Sequence, residues 1–173
     1  KQGFCTMTYR WKPSVTVAGI IEQDGRYLLV EEHTPKGLMF NNPAGHLDPG
    51  ESPLEACVRE VLEETAYAFT PTALVGIYLS RFGKPPTPQD PEEDITYLRF
   101  AFTGVLGEHY PERPLDDGIV RTLWMSIDEM LASQARHRSR LLVRCAQDHA
   151  RGVRLPLDTI YTDPSVYAPG GPA

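Results

Sequence analysis

Glu60, Glu63 and Glu64 fall within five consecutive positions, with Arg59 beside them and Glu51 and Glu55 upstream. On a helix turning about 100° per residue the three glutamates occupy one narrow arc. Leu54, Val58, Val61, Leu62 and Thr65 then share the opposite face. Like charges at i and i+4 repel by a few tenths of a kcal/mol, so the cluster is locally costly with a single arginine beside it. Carboxylates gathered next to a Gly/Pro loop suit a hard divalent cation, which takes oxygen ligands and relieves that repulsion. Magnesium keeps several waters and takes one or two carboxylates together with substrate phosphates, which points to phosphate chemistry. The competing reading is an amphipathic helix whose glutamates simply face water.

A loop and a helix must position this cluster. Gly45, Pro49 and Gly50 mark a turn-rich loop that runs into Ser52-Pro53-Leu54-Glu55. Ser52 suits an N-cap, Pro53 the first helical position, and Glu55 completes a capping box. A helix is therefore predicted from there to about Thr65. Upstream, residues 15–21 are rich in β-branched types and read as a strand, Asp24-Gly25 as a hairpin turn, and residues 27–30 as the returning strand. A third short strand is expected around Leu38 to Asn42. The first two strands are nearly continuous apolar runs, as in a sheet covered on both faces.

Downstream, strands are expected at residues 74–79, 95–102 and 120–125, with Tyr97 and Arg99 sharing a face. Residues 81–94 hold four prolines and both charge signs and are expected to be irregular, as a substrate-side flap or an excursion away from it. Residues 107–118 read as a second polar loop. Ser126 to Glu129 form another capping box opening a short helix to about Ala132. A last helix is expected over 139–150 with Gly152 as its stop, followed by a loose tail over 163–173. This order fits an α/β fold built as an α/β/α sandwich with a mixed β-sheet. We expect a single domain over residues 1–173, its core about 9–161, with Met7 a candidate start.

Composition is that of one globular unit: 173 residues, 41% hydrophobic and 23% charged. A net charge of −6 argues against a nucleic-acid or membrane-surface binder, which needs a basic footprint. There is no run of about 18 apolar residues and no signal-peptide pattern, so a cytoplasmic location is expected. Cys5, Cys57 and Cys145 form no close pair and read as reduced thiols packed as small apolar residues.

Gly45, five residues, Glu51, seven residues, Arg59-Glu60-Val61-Leu62-Glu63-Glu64 and Thr65-Ala66-Tyr67 resemble the signature of the Nudix hydrolases, G-x5-E-x7-R-E-U-x-E-E-x-G-U, where U is a bulky apolar residue. Every fixed polar position is present. Ala66 replaces the glycine and Tyr67 the usual aliphatic residue. The glycine ends the helix in a left-handed conformation that costs alanine about 1 kcal/mol, so a different helix exit is expected. Beyond the box, residues 12–18, Leu29-Val30-Glu31-Glu32, residues 42–47 and Leu98-Arg99-Phe100 look like the NudJ phosphatase subgroup of that family.

The resemblance implies the Nudix fold with a central metal-binding loop-helix and a Mg2+-dependent hydrolase (Mn2+ being a second option) acting on a small-molecule diphosphate. By motif position Glu60 and Glu64 look like the main metal ligands, Glu63 a ligand or water-orienting base, and the carbonyl of Ala44 a further ligand. Arg59 is expected to fix a carboxylate, Glu51 being one choice; as a surface partner of Glu55 or Glu63 it would have no such role. Asp117, ahead of Trp124, matches the loop carboxylate many members add; equally, Asp116 and Asp117 are turn residues before Gly118, and Glu92, Glu93 and Asp94 are rivals. His46 either donates to a phosphate or faces solvent. Arg99, Arg81 and Lys84 are candidates for the terminal phosphate.

Phe82 and Lys84 stand where ADP-ribose and diadenosine polyphosphate enzymes of the family carry proline and tyrosine. The subgroup acts on thiamine pyrophosphate, its hydroxymethylpyrimidine diphosphate precursor and nucleoside di- and triphosphates, releasing orthophosphate. The alternatives are a nucleotide-sanitising enzyme that releases pyrophosphate and a Nudix-fold binding module without turnover. No DNA or membrane partner is expected, and the protein is expected to be a monomer or homodimer.

Overall fold

The computed structural model describes residues 11–84 and 93–168. Cys5, Met7, Glu92 and the side chains of Lys84 and Glu93 lie outside the described residues, as does the end of the expected tail. The strands are β1 (Ser14–Gly19), β2 (Glu22–Gln23), β3 (Arg26–Thr34), β4 (Gly37–Asn41), β5 (Ala44–His46), β6 (Tyr67–Lys84), β7 (Glu93–His109) and β8 (Ile119–Met125). The α-helices are α1 (Pro53–Thr65), α2 (Ile127–Ala132) and α3 (Leu141–Ala150).

The β-branched run at the start of the chain becomes the interior strand of a mixed sheet ordered β5-β1-β7-β6, in which β1 runs parallel to β7 and antiparallel to β5. A second sheet pairs β3 with β2, β4 and β8. Asp24 and Gly25 adopt φ of 49° and 77°, the left-handed pair a tight hairpin between β2 and β3 requires.

Alternation along β1 and β3 sends neighbouring residues to opposite faces, and both faces are covered. Val17, Leu28, Leu74 and Phe102 pack with Ala56, Cys57 and Val61 of α1. Ala18, Tyr27, Leu29 and Ala101 pack with Met130 of α2 and Leu142, Cys145 and Ala146 of α3. The result is the expected α/β/α sandwich. Cys57 and Cys145 are free and buried.

Three expectations need correction. Residues 81–84 and 93–94 are not irregular: Arg81 pairs with Thr96 and Lys84 with Glu93 in one long antiparallel ladder. That ladder also carries β7 to His109, into the supposed second loop. On α1 the buried residues are Ala56, Cys57, Glu60, Val61, Glu64 and Thr65, so the helix turns two glutamates inward. Leu54, Val58 and Leu62 are only half-buried and line an open groove of about 540 Å3 with Pro71 and Leu157. Finally, Ala66 takes the left-handed exit after all, with φ 57° and ψ 20° and its N–H donating to the Leu62 carbonyl.

Candidate active site

The cluster begins at the helix start. Ser52 Oγ accepts from the Glu55 N–H at 3.2 Å while Glu55 Oε2 accepts from the Ser52 N–H at 2.7 Å, the reciprocal pair that satisfies otherwise orphaned donors. One and two turns on, Glu60 and Glu64 face the edge strand β5. Ala44 N–H donates to Glu64 Oε2 at 2.8 Å. A Cβ at Gly45 would collide with the Glu60 carboxylate, so glycine leaves room for that carboxylate to lie against the β5 backbone.

Arg59 gathers the remaining charge. Its Nε and Nη2 donate to Glu51 Oε2 and Oε1 at 3.0 and 2.7 Å, a two-pronged pair. Nη1 donates to Glu60 Oε1 at 2.7 Å and Glu63 Oε2 at 3.0 Å, and Nη2 also to the His46 carbonyl at 3.0 Å. The expected contact with Glu51 therefore forms together with the i,i+4 contact to Glu63. The Arg59 guanidinium holds Glu51 below the usual carboxylate range.

Glu60 and Glu64 behave oppositely, because burial disfavours their charged forms. Glu60 is raised by burial and partly lowered again by Arg59. Glu64 is pushed up to about 8, chiefly by burial, with Glu60 and Asp116 adding repulsion and the Ala44 N–H opposing it.

The loop before β8 reaches this cluster through Asp116, whose N–H donates to the Glu63 carbonyl at 2.9 Å and whose charge acts on both buried glutamates. Asp117 lies one residue further, exposed, in the turn closed by Ile119 N–H on the Asp116 carbonyl at 3.0 Å. The sequence favours Asp117 on its distance from Trp124, and a one-residue choice within a turn has no periodic signal behind it.

His46 is exposed, its ring 6.3 Å from that of Tyr97. Arg99 is buried on β7, and Glu64 is among the charges acting on it. Arg81 sits further along β6, gripping Asp94 with Nε at 2.6 Å and Nη2 at 2.8 Å, which engages both carboxylate oxygens of Asp94.

Among the described residues no three His, Cys, Asp or Glu side chains converge into a ready metal cluster. The donor chemistry nevertheless fits one hard cation: buried Glu60 and Glu64, with Glu63 and Asp116 near, offer the one or two carboxylates magnesium takes while keeping its waters. Bringing like charges together out of water costs free energy that a bound cation returns.

Residues 10–145 match the NUDIX domain family. The chain belongs to the Nudix hydrolases. This Nudix protein is 33% identical over 150 residues to the phosphatase NudJ of Escherichia coli and of Shigella flexneri, covering 87% of this chain and 92% of theirs. Its fold matches a Nudix hydrolase structure from Nitrosomonas europaea with TM-score 0.75 and 49% identity, over 88% of this chain and 98% of that one. A UDP-X diphosphatase shares the fold alone, at TM-score 0.59 and 18% identity over 88% of this chain and 70% of that one. No helix among the described residues is long and apolar enough to cross a membrane.

Proposed function

We propose that this Nudix hydrolase is a Mg2+-dependent phosphatase of the NudJ type. It removes the terminal phosphate from thiamine pyrophosphate, hydroxymethylpyrimidine diphosphate and nucleoside di- and triphosphates as orthophosphate. The observation that carries this is the intact carboxylate set on α1, with Glu60 and Glu64 buried against β5, in a chain 33% identical to NudJ phosphatases across 87% of its length.

Glu60 and Glu64, with the Ala44 carbonyl, are the groups that would hold the cation. The cation, when bound, neutralises phosphate oxygens and makes water more acidic. Arg59 keeps Glu60 and Glu63 oriented by bonding both from one nitrogen and anchors the loop through Glu51. Glu63 orients the attacking water and takes its proton, and the loop carboxylate that assists is Asp116, since its charge reaches the cluster. The water oxygen bonds to the terminal phosphorus, the bridging P–O bond breaks, and the inner phosphate leaves with the bridging oxygen.

A panel of thiamine pyrophosphate, GDP, GTP, ADP-ribose and diadenosine tetraphosphate tests this, with orthophosphate assayed with and without added pyrophosphatase. Orthophosphate from thiamine pyrophosphate or GDP without the helper enzyme supports the reading. Signal that requires the helper enzyme assigns the protein to the pyrophosphate-releasing class.

A further inference from the structure

The sheet face turned toward α3 carries a row of polar side chains set by strand register. Thr16 on β1 lies opposite Arg99 on β7 and His46 on β5, and Tyr78 on β6 lies opposite Arg99. Two residues along each strand, on the same face, the next row is Ala44, Ala18 and Ala101. Within the sheet, the small side chains of Ala18 and Ala101 lie between the register positions of Arg99 and Ala44, whose N–H holds Glu64, and Cys145 of α3 faces Arg99 from above.

Arg99 is 7% exposed and Thr16 6%. Among the described residues, Arg99 Nε and Nη1 and Thr16 Oγ1 are buried without a hydrogen-bond partner. Asn42, two residues before Ala44, has both side-chain amide atoms in the same condition. A buried guanidinium with two idle nitrogens is among the costliest arrangements a fold can keep, because burial removes water and nothing replaces it. Tyr78 Oη is committed to Asp148 Oδ2 at 3.0 Å, so the neighbouring strand does not relieve it. Planar guanidinium N–H groups match the oxygens of a phosphate.

We propose that Arg99, with Thr16 beside it, receives the unesterified terminal phosphate of the substrate. The inference rests on the diphosphatase reading above and narrows its substrate class. An anion reaching the buried Arg99 must be small, and a terminal phosphate has no organic substituent to accommodate. The inner phosphate, which carries the organic group, stays toward the half-buried Glu63 and the exposed His46. Compounds esterified at both ends of the phosphate chain are excluded by the same burial. Arg99 is a binding group; the atoms that bond and break remain those of the hydrolysis described above.

The test uses methylenediphosphonate, which has two phosphonates, no scissile oxygen and no organic group, titrated calorimetrically with Mg2+ into the native protein, Arg99→Met, Arg99→Lys and Thr16→Val. The native protein is expected to bind, Arg99→Met at least tenfold more weakly, and Arg99→Lys in between. Thr16→Val should weaken binding severalfold, and serves if Arg99→Met does not fold. Without ligand, Arg99→Met should melt no lower than the native protein, since an unpaired buried cation has been removed. Unchanged affinity in Arg99→Met or, failing that variant, in Thr16→Val overturns the proposal, as does absence of native binding. A lower melting point with unchanged affinity also overturns it, leaving Arg99 a structural counter-charge to Glu64. If the native protein binds methylenediphosphonate, Arg99→Met binds it at least tenfold more weakly and no diphosphate of the panel is hydrolysed, the activity fails while Arg99 stands as a phosphate site.

Discussion

Gly45 of β5 lies so close to α1 that any side chain there would collide with the Glu60 carboxylate. That contact fixes where the Glu60 carboxylate stands against the strand. We expect Gly45→Ala to fold, because the position is at a sheet edge, but to lose about 100-fold in kcat/KM, the cost of moving a reacting group by roughly 1 Å. Circular dichroism and steady-state kinetics on the same preparation check this. Unchanged kinetics would show that the closeness of Gly45 to Glu60 is not needed for turnover.

Glu64 binds its proton far more tightly in the fold than in the unfolded chain, about 8 against 4.5. The folded protein therefore holds the extra proton between these values, and the contribution of Glu64 to the stability of the metal-free protein falls as pH rises from about 4.5 toward 8, then levels off. Glu64→Gln removes its share of that slope, leaving the share of Glu60, and lowers turnover by about 100-fold or more, as loss of a proposed metal ligand should exceed the loss from its supporting groups. Urea titrations in chelator at pH 5 to 9, with activity in Mg2+, check both parts.

How much of this was legible beforehand depends on whether the signal is local. The spacing from Gly45 to Glu64 identifies the loop-helix without any structure, because fixed intervals on a helix fix geometry. The buried face of α1 was misjudged for a physical reason: Glu60 and Glu64 lie under β5, and hydrophobic periodicity cannot show that carboxylates are turned inward. The length of the β6–β7 ladder was hidden as well. Apart from Phe82, residues 81–84 and 93–94 are not strand-like in type and are held by pairing with each other. Likewise Thr16 and Arg99 are far apart in the chain and meet only through parallel register.

Ala66 holds a left-handed backbone at φ 57°, where glycine sits without strain. Ala66→Gly should stabilise the protein by about 0.5–1 kcal/mol. A rise of roughly 2–4 °C in Tm for each kcal/mol, at unchanged kcat/KM, is the expected calorimetric result.

His149 is held neutral on α3. Arg154 Nη2 donates to its Nε2 at 2.6 Å, so the ring proton sits on Nδ1 and points to Tyr27 Oη at 3.0 Å, which donates in turn to the Ala146 carbonyl at 3.1 Å. Burial, then Arg154, lowers its pKa below the ordinary 6.5. The unfolded chain therefore binds the extra proton first, and the contribution of His149 to stability is lost as pH falls below about 6.5, against the opposing contribution of Glu64. His149→Gln should flatten that acid slope while costing about 1–2 kcal/mol at pH 7.5 through lost hydrogen bonds, measured by urea denaturation across pH 5 to 8.

Hydrolysis of thiamine pyrophosphate in 18O-labelled water, with the products separated and weighed by mass spectrometry, tests the central claim most directly. Attack on the terminal phosphorus puts the label in orthophosphate and leaves thiamine monophosphate unlabelled, and this turnover should vanish when Mg2+ is chelated. Label in thiamine monophosphate, or release that persists without a divalent cation, would contradict it.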